Sequence, residues 1–197
     1  MENKKGFDEI TVGEAQVDYN RYYTYSDYLK WDDDKRWELI DGIPYEMSAP
    51  KRRHQKISIN LLAQLISYLD DKPCEVYHAP FDVRLNADTK DDTVVQPDIV
   101  VFCDLTKLTD AGCDGAPDMV IEILSPSTSN HDRITKFNKY REYGVREYWI
   151  IDPDSSSLAV HILKGKDFVT QAYSSESAVP VYILDDCVID LSKVFVD

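Results

Sequence analysis

The sequence holds 197 residues at 22.7 kDa, 43% of them hydrophobic, which excludes a disordered chain and supplies one domain with a sizeable core. A formal net charge of −14 excludes broad basic contact with nucleic acid, so any phosphate-binding face must be local. No apolar run approaches the roughly 18 residues of a membrane span, MENKKGFDEI lacks the apolar segment of a signal peptide, and Cys74, Cys103, Cys113 and Cys187 have no CxxC spacing; a reduced, cytoplasmic protein without zinc or disulfides is expected.

Residues 1–22 are polar and without period and read as an arm, leaving 23–197 as a single domain. Thr24-x-x-Asp27 has the spacing of a capping box and opens a short helix through Leu29 and Trp31. In RWELIDGIPYEM, Asp-Gly between apolar flanks predicts a two-residue hairpin, with Trp37 and Leu39 on one face and Glu38 and Ile40 on the other. From His54 to Asp70 the residues Ser58, Leu61, Leu62, Leu65, Ile66 and Leu69 recur at helical spacing. The cations of KRRHQK (51–56) stand at the start of that helix, the unfavourable end of its dipole, which points to a partner elsewhere. CEVYHAPFDVRLN reads as strand, bend and strand. After the central stretch, Ser129-x-x-Asp132 predicts a second capping box, with Ile134, Phe137 and Arg141 on the buried side of a helix ending at Gly144. REYWIID is a strand, SLAVHIL and DFVTQAY a hairpin, and DLSKVF a last helical turn. This order predicts a mixed α/β (α+β) layer fold, not a regularly alternating one.

The central stretch, VVQPDIVVF followed after a loop by PDMVIEILSPST, holds two almost continuously apolar strands. Each carries one carboxylate where a core residue belongs, Asp98 in the first and Glu122 in the second. An uncompensated buried charge costs several kcal/mol, and two neighbouring carboxylates are compensated most simply by a divalent metal. The alternative is that both lie at strand ends in water. His78, His131 and His161 lack metal-ligand spacing and read as structural. Ser125, Ser127 and Thr128 read as turn and capping chemistry.

In one order the chain carries ELIDG (38–42), RHQ (53–55), QPDIVV (96–101), IEILSPST (121–128) with Asp132, Lys136 and Tyr140, and REYWIIDP (146–153). With these it resembles the Uma family of restriction-endonuclease-like proteins, within the PD-(D/E)XK nuclease superfamily, over roughly Tyr25 to Phe195. The resemblance implies a restriction-endonuclease-like core, a mixed central sheet flanked by helices with the site at one end. It implies Asp98 and Glu122 as ligands of Mg²⁺ or Mn²⁺, the Ile123 carbonyl as a third, and Glu38 as a further carboxylate. The superfamily's lysine belongs two residues after the glutamate, where this chain has Leu124.

Lys136 is the candidate substitute, because Asp132, Lys136 and Tyr140 share one helix face and a lysine stem is long and flexible. Its alternative is a surface ion pair with Asp132. Arg52, Arg53, His54 and Gln55 are candidates for phosphate contact, His54 equally for a solvated surface residue, and Gln96 for a hydrogen bond to phosphate or water. The expectation is a magnesium-dependent DNA endonuclease, in which the metal polarises the scissile phosphate and lowers the pKa of the attacking water; a homodimer, which the resemblance allows, would cut two strands. The competing expectation, favoured by Leu124 and the net charge, is a catalytically depleted nuclease-like scaffold that binds nucleic acid or a protein partner.

Overall fold

Strand β9 (Met119–Ile123) is buried along its whole length, and the molecule is layered around it. The computed structural model describes residues 17–125 and 131–196; most of the expected N-terminal arm, Ser127, Thr128 and the Ser129 end of the second capping box lie outside these. In chain order the elements are helix α1 (Tyr25–Tyr28), β1 (Arg36–Ile40), β2 (Ile43–Met47), α2 (Arg52–Leu69), β3 (Glu75–His78), β4 (Val83–Arg84), β5 (Val94–Val95), β6 (Ile99–Phe102), β7 (Leu108–Thr109), β8 (Gly112–Asp114) and β9. A π-helical turn (His131–Lys136) then runs into α3 (Phe137–Glu142), followed by β10 (Glu147–Asp152), β11 (Ser157–Lys164), β12 (Asp167–Ser174), β13 (Ala178–Pro180) and β14 (Val188–Asp190). The chain ends in a 3₁₀ turn at Leu191–Lys193, where DLSKVF predicts one.

One six-stranded sheet has the order β12-β11-β10-β9-β6-β3, with β9 and β10 parallel; a second has the order β2-β1-β5-β4-β8-β7. Odd residues of β9 (Met119, Ile121, Ile123) face α2 and the C-terminal segment in one core cluster. Val120, and Leu124 just after the strand, face Tyr140, Tyr148 and the second sheet in another. Both faces are therefore covered, as the apolar runs predict. This is the mixed α+β fold expected from the order of elements.

Hairpin β1–β2 closes on Asp41 (φ 51°) and Gly42 (φ 76°), the paired positive φ that favours Asp-Gly. Thr24 and Asp27 form the expected capping box, but α1 is a single turn that stops before Leu29. The buried stripe of α2 is Ile57, Leu61, Leu65 and Leu69, spaced by four; Ile66 faces solvent at 53% exposure, and Ser58 is half-buried.

Three expectations are corrected. VVQPDIVVF is two strands, not one: Gln96, Pro97 and Asp98 carry the chain from the second sheet into the first, because Pro97 cannot donate to a ladder. Cys74 and Cys103 form a disulfide; antiparallel pairing of Glu75 with Phe102 sets them opposite each other, a proximity that spacing in sequence does not carry. The cysteine argument for a reducing compartment falls with it. Among the described residues no helix is long and apolar enough to cross a membrane. Finally, the buried side of the third helix is not the apolar one. Ile134 is 61% exposed, whereas Asp132, Lys136 and Tyr140 are buried, because that face meets other carboxylates.

Candidate active site

The antiparallel register of β6 and β9 sets Ile99 opposite Ile121 and Val100 opposite Val120. Continuing it by one step places Asp98 opposite Glu122, on the face that meets α3, where cross-strand side chains are near neighbours. Asp98 lies just before β6, and its Oδ2 accepts the Ile123 N–H at 2.8 Å. Glu122 is only 4% exposed. The expected alternative, two carboxylates at frayed ends in water, does not hold.

Lys136 closes the cluster. Its Nζ lies 2.7 Å from Glu38 Oε1, 2.9 Å from Glu122 Oε1 and 3.6 Å from Asp132 Oδ1, with the lysine 3% exposed. Tyr140 donates to the same Glu122 oxygen at 2.8 Å. The lysine is thus no surface pair with Asp132: one turn of the helix brings its ammonium back to the carboxylate of β9. Leu124 has gone into the core at 7% exposure. Glu38 reaches the site from the other sheet, and the Gln96 N–H donates to its Oε1 at 2.8 Å. The Gln96 side chain accepts from Arg36 and donates to Tyr28 and Asp82, so this glutamine anchors the crossing segment instead of facing water.

The electrostatics follow from an excess of carboxylates. Burial pushes Lys136 down, but the three carboxylates around it outweigh burial and hold its ammonium well above the usual lysine range. Burial raises the Glu122 carboxyl well above its ordinary value, and the Lys136 charge offsets only part of that. One ammonium does not neutralise the cluster.

His54 approaches from the first turns of α2. Its Nε2 lies 3.1 Å from Asp98 Oδ2, and its side chain is 12% exposed. Burial pushes its imidazole down; the Asp98 carboxylate and the Ile123 carbonyl more than reverse this, leaving it raised. The solvated-surface alternative for His54 is therefore excluded. His131, read from sequence as structural, lines the same cavity, stacked on Tyr45 at 4.4 Å between ring centres, with Nε2 3.7 Å from Glu38 Oε2. Burial lowers its pKa. No sequence signal singled it out, but Asp132 had one: its spacing with Lys136 and Tyr140. His161 is structural, held by Thr170 Oγ1 and the ring of Phe137.

The four basic-segment candidates part ways. Arg52 and Gln55 are exposed on the helix surface. Arg53 donates to the Pro153 carbonyl at 3.2 Å and to Ser156 Oγ at 3.1 Å, clamping the β10–β11 turn. The cluster lines a cavity of about 480 Å³ that Arg36, Glu46 and Ser48 also border.

A metal can be tested against these donors. Among the described residues, no three His, Cys, Asp or Glu side chains converge to hold an ion by themselves. Two carboxylates and the Ile123 carbonyl are nevertheless the hard oxygen set that Mg²⁺ takes when waters and a phosphate complete its shell. Two buried imidazole nitrogens, His54 Nδ1 and His131 Nε2, stand beside them without a hydrogen-bond partner. The residues present fit such an ion.

Similarity to known proteins agrees with this fold. The chain is 32% identical over 138 residues to the "Uncharacterized protein slr1290" of Synechocystis sp. (strain ATCC 27184 / PCC 6803 / Kazusa), covering 68% of this chain and 71% of that one. A second protein of that organism, "Uncharacterized protein sll1609", is 26% identical over 134 residues, 66% of this chain and 74% of its own length. The fold matches the crystal structure of a "putative nuclease belonging to DUF820" from Anabaena variabilis ATCC 29413, with a TM-score of 0.71 and 21% identity over 88% of this chain and 97% of that one. The family model Uma2, "Putative restriction endonuclease", matches residues 25–189, and the chain belongs to that family.

Proposed function

We propose that this protein is a metal-dependent endonuclease that hydrolyses phosphodiester bonds in DNA. The observation that carries the reading is the Lys136 ammonium, 2.9 Å from Glu122 although Leu124 occupies the place where the superfamily's lysine belongs. A lysine buried among three carboxylates is costly to maintain for stability alone, since an apolar replacement of such a network is often neutral or stabilising.

Asp98 and Glu122, with the Ile123 carbonyl, would hold Mg²⁺ or Mn²⁺. When bound, the metal would polarise the phosphate and supply hydroxide near neutral pH. Lys136 would then lie against the phosphate and orient the attacking water, while Glu38 and Asp132 fix its ammonium. Tyr140 holds the Glu122 oxygen that the ammonium also touches. His54 keeps Asp98 turned toward Ile123. Arg52 and Gln55, exposed in the first turn of α2, would contact backbone phosphates. The protein would act in the cytoplasm, as a homodimer.

The test is nicking of supercoiled plasmid with Mn²⁺ by wild type, Asp98→Ala and Lys136→Met, alongside calorimetric titration with Mn²⁺. Both variants are expected to lose nicking, and only Asp98→Ala to lose metal binding. Absence of metal binding in the wild type would leave the catalytically depleted scaffold as the reading.

A further inference from the structure

The carboxylate cavity is one lobe of a larger cleft. A second cavity of about 830 Å³ adjoins it, and Ser48, Ala49, His54 and Ser125 border both. The two lobes differ in chemistry. The first is walled by Glu38, Glu46, Asp98, Glu122 and Asp132 and is suited to one phosphate bridged by a cation. The second has Lys51 and Arg53 on its rim and Ala49, Leu124 and Pro153 among its apolar walls. Its carboxylates are Asp152 and Asp154. Asp152 is tied to Arg133 at 3.1 Å and accepts the Asp154 and Ser155 N–H groups, which leaves Asp154 as the exposed acid at the rim.

We infer that the second lobe binds the nucleotide next to the scissile phosphate, and that the strand entering it is single. The inference rests on the nuclease reading above and names its substrate class. A strand crossing His54 from the first lobe would lay its next phosphate against Lys51 and Arg53 and its sugar and base against the exposed Ala49 and Ser155. Arg53 is already fixed by Pro153 and Ser156, so its guanidinium loses little freedom when a phosphate arrives.

Charge favours a single strand over a duplex. Double-stranded DNA carries about one negative charge per 1.7 Å of axis and asks for cations along both strands. A protein of net charge −14, with Lys51 and Arg53 at the second lobe and Arg36 at the first, offers them to one strand only. Frayed ends, flaps and single-stranded gaps meet that demand.

The test uses the full chain with Ca²⁺ and fluorescein-labelled oligothymidylate or a blunt duplex of equal length, read by anisotropy at low salt. Single-stranded probe is expected to bind more tightly than duplex. Ser155→Trp fills the second lobe from an exposed position that lines only that lobe, and Lys51→Glu reverses charge on an exposed rim residue. Each is expected to weaken single-strand binding by about tenfold, roughly 1.4 kcal/mol, with the metal-induced rise in melting temperature unchanged. Duplex binding as tight as single-strand binding, or affinity untouched by Ser155→Trp while that metal response persists, would overturn the inference and leave the nuclease reading standing. Loss of metal response and of all oligonucleotide binding in the wild type would overturn both.

Discussion

Replacing Lys136 with Met removes one charge and keeps much of the side chain's length, so it separates electrostatics from packing. The ammonium is 3% exposed, within 3 Å of two carboxylates and 3.6 Å from a third. Breaking a buried ionic network by deleting one partner costs about 3–5 kcal/mol, because the remaining charges stay buried and unpaired. For a domain of this size each kcal/mol shifts the melting temperature by about 2–4 °C, which gives a fall of about 6–20 °C. A divalent cation should then recover more stability in the variant than in wild type, since it meets carboxylates that no ammonium neutralises. At a metal concentration a hundredfold above the dissociation constant the gain is about 2.7 kcal/mol, and it should rise further in Lys136→Met at the same concentration. Circular dichroism melts of both proteins with EDTA, Mg²⁺ and Mn²⁺ would measure this. A fall below about 2 °C, or a metal-induced rise identical in the two proteins, would refute the idea that ammonium and metal share one set of carboxylates.

Asp98→Ala should abolish the metal-induced rise in melting temperature, because it removes one of two carboxylate ligands; calorimetric titration would read the same loss. The metal-induced rise should also grow with pH. Burial raises the Glu122 carboxyl, so its contribution to metal-free stability is complete below the ordinary glutamate range and is lost as pH rises through the raised value. The metal needs the ionised form and gains over that same window, which melts in matched buffers with and without Mg²⁺ would show. Arg53→Ala should cost about 1–2 kcal/mol through the bonds to Pro153 and Ser156, whereas exposed Arg52→Ala should leave stability within about 0.5 kcal/mol; urea titration separates them. Leu124→Lys with Lys136→Ala should restore part of the nicking lost in Lys136→Ala, at a cost in stability because position 124 is buried in the core.

Where sequence and fold agree, one local rule decided the matter. Asp41-Gly42 fixed a hairpin because positive φ closes a two-residue turn, and the Val and Ile runs of β6 and β9 fixed central strands because both faces are covered. Where they part, the information was not local. Apolar periodicity set Ile134, Phe137 and Arg141 inward; Phe137 does pack against the core, but Ile134 faces solvent, because periodicity assumes that a buried face is greasy. Here the buried face is Asp132, Lys136 and Tyr140, and its partners, Glu38 and Glu122, lie 98 and 14 residues away from Lys136.

The same reasoning accounts for Arg53 and His54, two neighbours in one basic run with different fates. Composition sees two cations at a helix start. The fold sends Arg53 to the β10–β11 turn and His54 to Asp98, at the end of the segment that crosses between the sheets. Asp98 and Glu122 in apolar strands marked this site in the sequence, and charge that breaks the local pattern of a helix, as at His54 and on the Asp132–Lys136–Tyr140 face, is a second signal for it. At His54 and at Lys136 a helix accepts a locally unfavourable residue because a carboxylate from another element meets it.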